Sequence, residues 1–144
     1  MNTSAPLDML RSDQKTMQAL EALETYVNSL ELDPLLVELV RIRVSQMNGC
    51  GFCLSMHLKR ARRLGETQAR LEHVTVWRDS LLFSEEERIV LGLAEHLTAI
   101  CGVERRSQWQ VNLSPILVPD HLHWTMVIAM INTWNRVMLS VGEL

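Results

Sequence analysis

The strongest constraint on what this chain can fold into is the spacing of its apolar residues, which recur at helical rather than alternating intervals almost from end to end. Six glycines and four prolines are all the punctuation in 144 residues, and there is no low-complexity tract. An all-α fold is predicted. With 47% hydrophobic residues, a chain of this length fits one domain over 1–144 with a sizeable core, rather than a solenoid or a multidomain protein.

The helices can be bounded from their ends. Within 12–30, Met17, Leu20, Leu23, Val27 and Leu30 form one stripe, which predicts a helix packed on the surface by a single face. The next opens with Asp33 as N-cap and Pro34 at the first helical position, and stops at Asn48-Gly49. A third is predicted from about Gly51 to Gly65, where glycine can take the left-handed conformation that ends a helix. Thr67 caps a short helix through Val76. Ser84 and Glu87 stand at capping-box spacing with acidic residues crowding the first turn, so a helix begins there and continues along 84–100. A variable segment holds Gln108 to Leu113, and Pro119-Asp120 introduces the last helix, through about Val141. Residues 35–47 and 122–141 look apolar on more than one face, which suggests more burial than one small domain provides and points to an oligomer.

Charge and cysteine usage narrow the setting. A net charge of −3 and a pI near 5.9 create no basic field, so neither nucleic acid nor an anionic membrane is an expected partner. The apolar window 122–141 is long enough to span a bilayer but carries Asn132, Asn135 and Arg136, and is read as a buried helix. The N-terminus lacks a basic region followed by an apolar run, so no secretory signal is expected and a cytoplasmic, thiol-reducing setting follows. Three cysteines there argue against a structural disulfide framework.

Two of those cysteines form a geometric unit with a histidine. In "NGCGFCLSMH", residues 48–57, Cys50, Cys53 and His57 are separated by three and four positions and so share one helical face. Cys50 falls at the helix N-terminus, where unpaired N–H groups and the dipole favour an anion. Such a site, or a nearby imidazolium, lowers a thiol pKa from about 8.5 by one to several units and exposes the thiolate that redox chemistry needs. If the helices flanking Asn48-Gly49 form an antiparallel hairpin, Glu38 comes level with the region from His57 to Ala61. A carboxylate there would orient the imidazole and stabilise its protonated form, making Glu38, His57 and Cys53 one proton relay. Glu38 is also placed for an i,i+3 ion pair with Arg41, and the two roles are compatible.

The stretch "ELVRIRVSQMNGCGFCLSMHLKRARRLGE" resembles the core of the AhpD-like alkylhydroperoxidase family, within the carboxymuconolactone decarboxylase superfamily. That family's motif is a glutamate, eleven intervening residues, then C-x-x-C-x-x-x-H, and Glu38, Cys50, Cys53 and His57 match all four places. The likeness extends through 77–98 and "INTWNR" (131–136), typical of short members. The resemblance implies an AhpD-like helical domain with the C-x-x-C at the N-terminus of a core helix, assembled as a homo-oligomer, trimer-based or hexameric. It further implies a cysteine pair cycling between dithiol and disulfide, with no metal, flavin or haem, while reducing a peroxide or a protein disulfide, and restored by an external dithiol. In that scheme His57, steadied by Glu38, accepts the Cys53 proton, the Cys53 thiolate attacks the O–O bond, and Cys50 resolves the sulfenic acid. Cys53 is expected to be the more inward thiol and Cys50 the more reachable. Gly51 and Phe52 stand between the cysteines where the best-characterised longer members carry a histidine beside the second cysteine, so a relay through that histidine is absent. The superfamily's decarboxylases lack the cysteine pair, which argues against that activity here.

Competing readings stay open at this point. A zinc site could use Cys50, Cys53, His57 and Glu38 in a non-catalytic helical binding or scaffold protein, although zinc ribbons usually contribute two C-x-x-C pairs. The same side chains could simply fill a core. A c-type haem site is excluded because Leu54, not histidine, follows Cys53. In "KRARR" (59–63), Lys59, Arg62 and Arg63 are read as a solvated face largely opposite the thiols, with Arg60 at the flank adding positive potential. Cys101 is assigned no role, and is expected at the buried end of the fifth helix. His73, His96, His121 and His123 form no pattern, and Met47, Met56, Met126, Met130 and Met138 are read as packing.

Overall fold

A computed structural model describes residues 5–100 and 119–142, and all of the regular structure in them is helical. The elements are α1 (Ala5–Ser12), α2 (Gln14–Asn28), α3 (Pro34–Asn48), α4 (Gly51–Arg63), α5 (Gln68–His73) continued by a 3₁₀ turn (Val74–Val76), α6 (Glu85–Thr98) and α7 (His121–Val141). The all-α expectation is met, and most boundaries fall where the caps place them. Asp33 accepts from the N–H groups of Leu35 and Leu36, with Pro34 opening α3. Ser84 and Glu87 close a reciprocal capping box on α6. The helix predicted over 12–30 is shorter and has a neighbour: Asp13 caps α2 by accepting from Thr16 N–H, and α1 precedes it. Cys101 and the segment from Gln108 to Leu113 lie outside the described residues.

Both helices that frame the cysteine motif end in the same way. At the end of α3, Gly49 has φ +70°, its N–H reaches the Gln46 carbonyl, and Cys50 N–H reaches that of Ser45. At the end of α4, Gly65 has φ +98°, with the N–H groups of Gly65 and Glu66 bonded to the carbonyls of Arg62 and Ala61. This paired 5→2 and 6→1 closure satisfies carbonyls that a helix end would otherwise leave open, and it needs a left-handed residue that glycine adopts without strain.

Helix α3 is the centre of the fold, packed against α4, α6 and α7. Its Leu39, Val40, Ile42 and Val44 are fully buried, meeting Val90, Leu91, Leu93 and Ala94 of α6 and Val127, Ile128, Met130 and Ile131 of α7. The all-round apolar character of 35–47 is therefore satisfied within the chain itself and gives no support for an oligomer. Helix α7 differs, since Leu122 and Leu139 remain exposed on it. Its inner face is buried as predicted, and no helix among the described residues is long and apolar enough to cross a membrane.

Two polar hubs fix the helices around α3. Glu95 of α6 accepts from Arg43 Nε of α3 at 2.7 Å, from Trp77 Nε1 at 2.9 Å, and from Arg78. Burial alone would raise the Glu95 pKa, but the hydrogen bonds from Trp77, Arg78 and Arg43 and the Arg43 charge outweigh it and hold the carboxyl below its usual range. On the other side Arg70 joins Glu66 and Glu87 and lies over the Phe83 ring.

Candidate active site

The cysteine pair sits where α3 turns into α4, and Cys50 serves both helices. Its N–H completes the closure of α3, while its side chain is the N-cap of α4, the sulfur accepting from Cys53 N–H at 3.4 Å. Cys50 and Cys53 are joined as a disulfide, with Cα atoms 5.4 Å apart. Helix α7 holds this turn in place. Asn48 Nδ2 donates to Asn132 Oδ1 and Asn135 Oδ1, each at 3.0 Å, and Asn135 Nδ2 donates to Ser45 Oγ at 3.1 Å. Two of the three side chains that argued against a membrane span, Asn132 and Asn135, thus anchor the motif.

One turn beyond Cys53, His57 is buried and meets α3. Its Nδ1 lies 2.7 Å from Glu38 Oε2. Burial alone would raise the Glu38 pKa. The hydrogen bond and charge of His57, then the charge and hydrogen bond of Arg41, outweigh it and hold the carboxyl below its usual range. A carboxylate only accepts, so Nδ1 carries the ring proton and Nε2 is the nitrogen left to act as base when the ring is neutral. The i,i+3 pair with Arg41 is present as well: Arg41 Nη1 donates to Glu38 Oε1 at 3.1 Å.

Beyond this pair lie partners that local spacing does not indicate. Arg41 Nη2 donates to Glu24 Oε1 and to Asn28 Oδ1, each at 2.9 Å, and Trp134 Nε1 donates to Glu24 Oε2 at 2.9 Å. A chain of hydrogen bonds therefore runs from α7 through α2 and α3 to His57. The spacing of Glu24 and Asn28 on one face of α2 is the only local signal, since Arg41 and Trp134 reach them from distant parts of the chain.

A cavity of about 210 Å³ opens onto this cluster, and Cys53, His57, Arg41 and Glu24 contribute to its wall. Phe52, Met56, Ile131, Trp134 and Met138 make the rest largely apolar, and Arg60 stands at its flank as expected. Met56 and Met138 thus line the site instead of only filling the core. Cys50 is not part of the wall. The predicted contrast in reach is overturned: Cys50 is 2% exposed and Cys53 1%, and it is Cys53 that faces the cavity. Capping α4 turns the Cys50 sulfur back over the helix end, which covers it. The basic run is solvent-exposed as expected, with one addition: Lys59 and Arg63 share a groove with Phe52 and Arg60 beside the site, while Arg62 turns to Gln68. His73 bonds Ser80 and His123 faces Asp120, both away from the thiols. Among the described residues no three His, Cys, Asp or Glu side chains converge in a metal-holding group.

A helical core turning at a disulfide-forming cysteine pair, with its histidine and glutamate on adjacent helices, defines the AhpD-like class of protein. The chain belongs to the carboxymuconolactone decarboxylase family, which its residues 14–96 match. It is 32% identical over 141 residues to the uncharacterized protein YdfG of Bacillus subtilis, covering 88% of this chain and 87% of that one. A stretch of 65 residues is 45% identical to the uncharacterized protein YnjA of Escherichia coli, covering 44% of this chain and 35% of YnjA. A crystal structure from Agrobacterium tumefaciens, of a protein of unknown function named as a candidate AhpD antioxidant defence protein, superposes with a TM-score of 0.79 and 29% identity over 94% of each chain. An uncharacterized peroxidase-related protein from Silicibacter shares the fold, with a TM-score of 0.70 at 20% identity over 92% of this chain and 71% of its own.

Proposed function

We propose that this protein is a cytoplasmic thiol-dependent peroxidase that cycles Cys50 and Cys53 between dithiol and disulfide. The observation that carries the reading is the order of groups on the cavity wall: Cys53, His57 one turn on, and Glu38 behind the imidazole at 2.7 Å. In the dithiol form His57 Nε2 takes the Cys53 proton, and the thiolate attacks the terminal oxygen of a hydroperoxide. The O–O bond breaks, Cys53 becomes a sulfenic acid, and the leaving alkoxide takes the proton from His57 to depart as an alcohol. Cys50 then attacks the Cys53 sulfur, forming the disulfide and releasing water. An external dithiol reduces the pair by exchange and is itself oxidised to a disulfide.

Burial favours a small substrate over a protein disulfide. Both sulfurs are nearly inaccessible, and Cys53 is approached through a cavity of about 210 Å³, below the roughly 300–1,000 Å³ typical of ligand pockets. A peroxide enters such a space more readily than a folded partner's cysteines. The deciding experiment combines thiol titration with peroxide consumption on the reduced protein. One hydroperoxide should be consumed for two thiols lost from Cys50 and Cys53. Unchanged peroxide in the presence of a fully reduced pair would end this reading.

A further inference from the structure

Two cavities meet at Arg60. The thiol cavity of about 210 Å³ shares Phe52, Met56 and Arg60 with a second one of about 370 Å³, which continues along the outside of α4 past Ser55, Lys59 and Arg63. The inner part is largely apolar and the outer part basic. Within the inner part the charges are matched, because Arg41 is bonded to Glu24 and Glu38, and Glu38 to His57. Lys59, Arg60 and Arg63 differ: among the described residues none has a carboxylate partner, in a chain whose net charge is −3.

An apolar pocket that ends at unpaired cations matches an amphiphile with a short alkyl body and one anionic head. We propose that Arg60, backed by Lys59 and Arg63, is an anion subsite, and that the preferred substrate is an organic hydroperoxide carrying a carboxylate. The alkyl body would lie against Phe52, Met56 and Trp134 while the guanidinium of Arg60 holds the carboxylate, a pairing that its planar fork favours. Cations in the last turn of α4 also offset the helix dipole, but that role needs no groove and involves Arg62 as much as Arg60. The substrate assignment rests on the peroxidase reading; the subsite does not.

Titration calorimetry on the full chain in its disulfide form, with octanoate and octanol at low ionic strength, tests the subsite without any turnover. Octanoate should bind about tenfold more tightly, as one charge-assisted contact provides, and the advantage should shrink as salt is raised. Arg60→Gln, an exposed position where folding is not at stake, should abolish the advantage, whereas Arg60→Lys should retain most of it and Arg62→Gln all of it. Equal affinities, no binding of either compound, or an advantage that survives Arg60→Gln would overturn the proposal. A parallel assay of the reduced protein compares kcat/KM for a carboxylate-bearing hydroperoxide and its methyl ester, with the acid expected to lead only when Arg60 is present. Octanoate selectivity without any peroxide turnover would uphold the subsite and remove the substrate assignment. Turnover with no preference for the acid would leave the peroxidase and remove the substrate assignment, while equal affinities in the calorimetry would remove the subsite.

Discussion

His57 Nδ1 and Glu38 Oε2 lie 2.7 Å apart across two helices, nineteen positions apart in the chain. Because Arg41 holds the second oxygen of the same carboxylate, Glu38 cannot rotate away, and the imidazole keeps one tautomer and one orientation. That fixed pair is what makes the histidine a candidate base.

Replacing the carboxylate should separate charge from position. Glu38→Gln can still accept from Nδ1 but offers no charge to an imidazolium, and His57→Ala removes the base. Each should slow Cys53 oxidation by about 10²-fold or more. Stopped-flow measurement of the first step will show this, and rates within a fewfold of wild type would mean that the pair only packs the site.

The two cysteines should fail in different ways. Cys53→Ser should abolish sulfenic acid formation, since the sulfur on the cavity wall is gone. Cys50→Ser should form the Cys53 sulfenic acid once and then stop, for want of a resolving thiol. Mass spectrometry after one equivalent of peroxide reads both, and trapping on Cys50 in Cys53→Ser at a wild-type rate would reverse the roles.

Stability should fall in acid. Burial alone would raise the pKa of Glu38, Glu87 and Glu95, but cationic and hydrogen-bonding partners outweigh it, so each is held below the usual glutamate value near 4.5. Between the folded and unfolded values the unfolded chain binds more protons, so stability rises with pH across that window. The contribution is complete above about pH 5 and is lost as pH falls below 4.5 through the folded values. Chemical denaturation from pH 7 to pH 3 should show that loss, smaller in Glu38→Gln.

Gly49→Ala should cost about 1 kcal/mol, because φ +70° strains any residue with a Cβ although the space around it is open. Thermal melting gives the value. The reduction potential of the pair should change with it, since Gly49 places Cys50 over the start of α4.

A homo-oligomer remains an expected outcome, trimer-based or hexameric, with the exposed Leu122 and Leu139 of α7 as contact residues. Light scattering should give a multiple of the 16.5 kDa chain mass. A monomer at micromolar concentration would count against it.

What the sequence by itself determined was local. Caps, stop signals and apolar spacing are chemistry within a turn or two of helix, so Asp33-Pro34, Asn48-Gly49, Ser84 with Glu87 and the Cys50-Cys53-His57 face are all legible in the order of residues alone. The Glu38–His57 pairing is legible too, because one short turn joins α3 and α4 and equal rise per residue fixes which side chains come level. Longer-range relations were decided only by the tertiary structure. Beyond the shared face of Glu24 and Asn28, no local pattern indicates that Arg41 and Trp134 will share the Glu24 carboxylate, or that Asn132 and Asn135 will hold the cysteine turn, because those contacts depend on how α2 and α7 dock on α3. Burial of Cys50 belongs with them: a sulfur at a helix start looks open in sequence, and it is closed because the same residue must end one helix and cap the next.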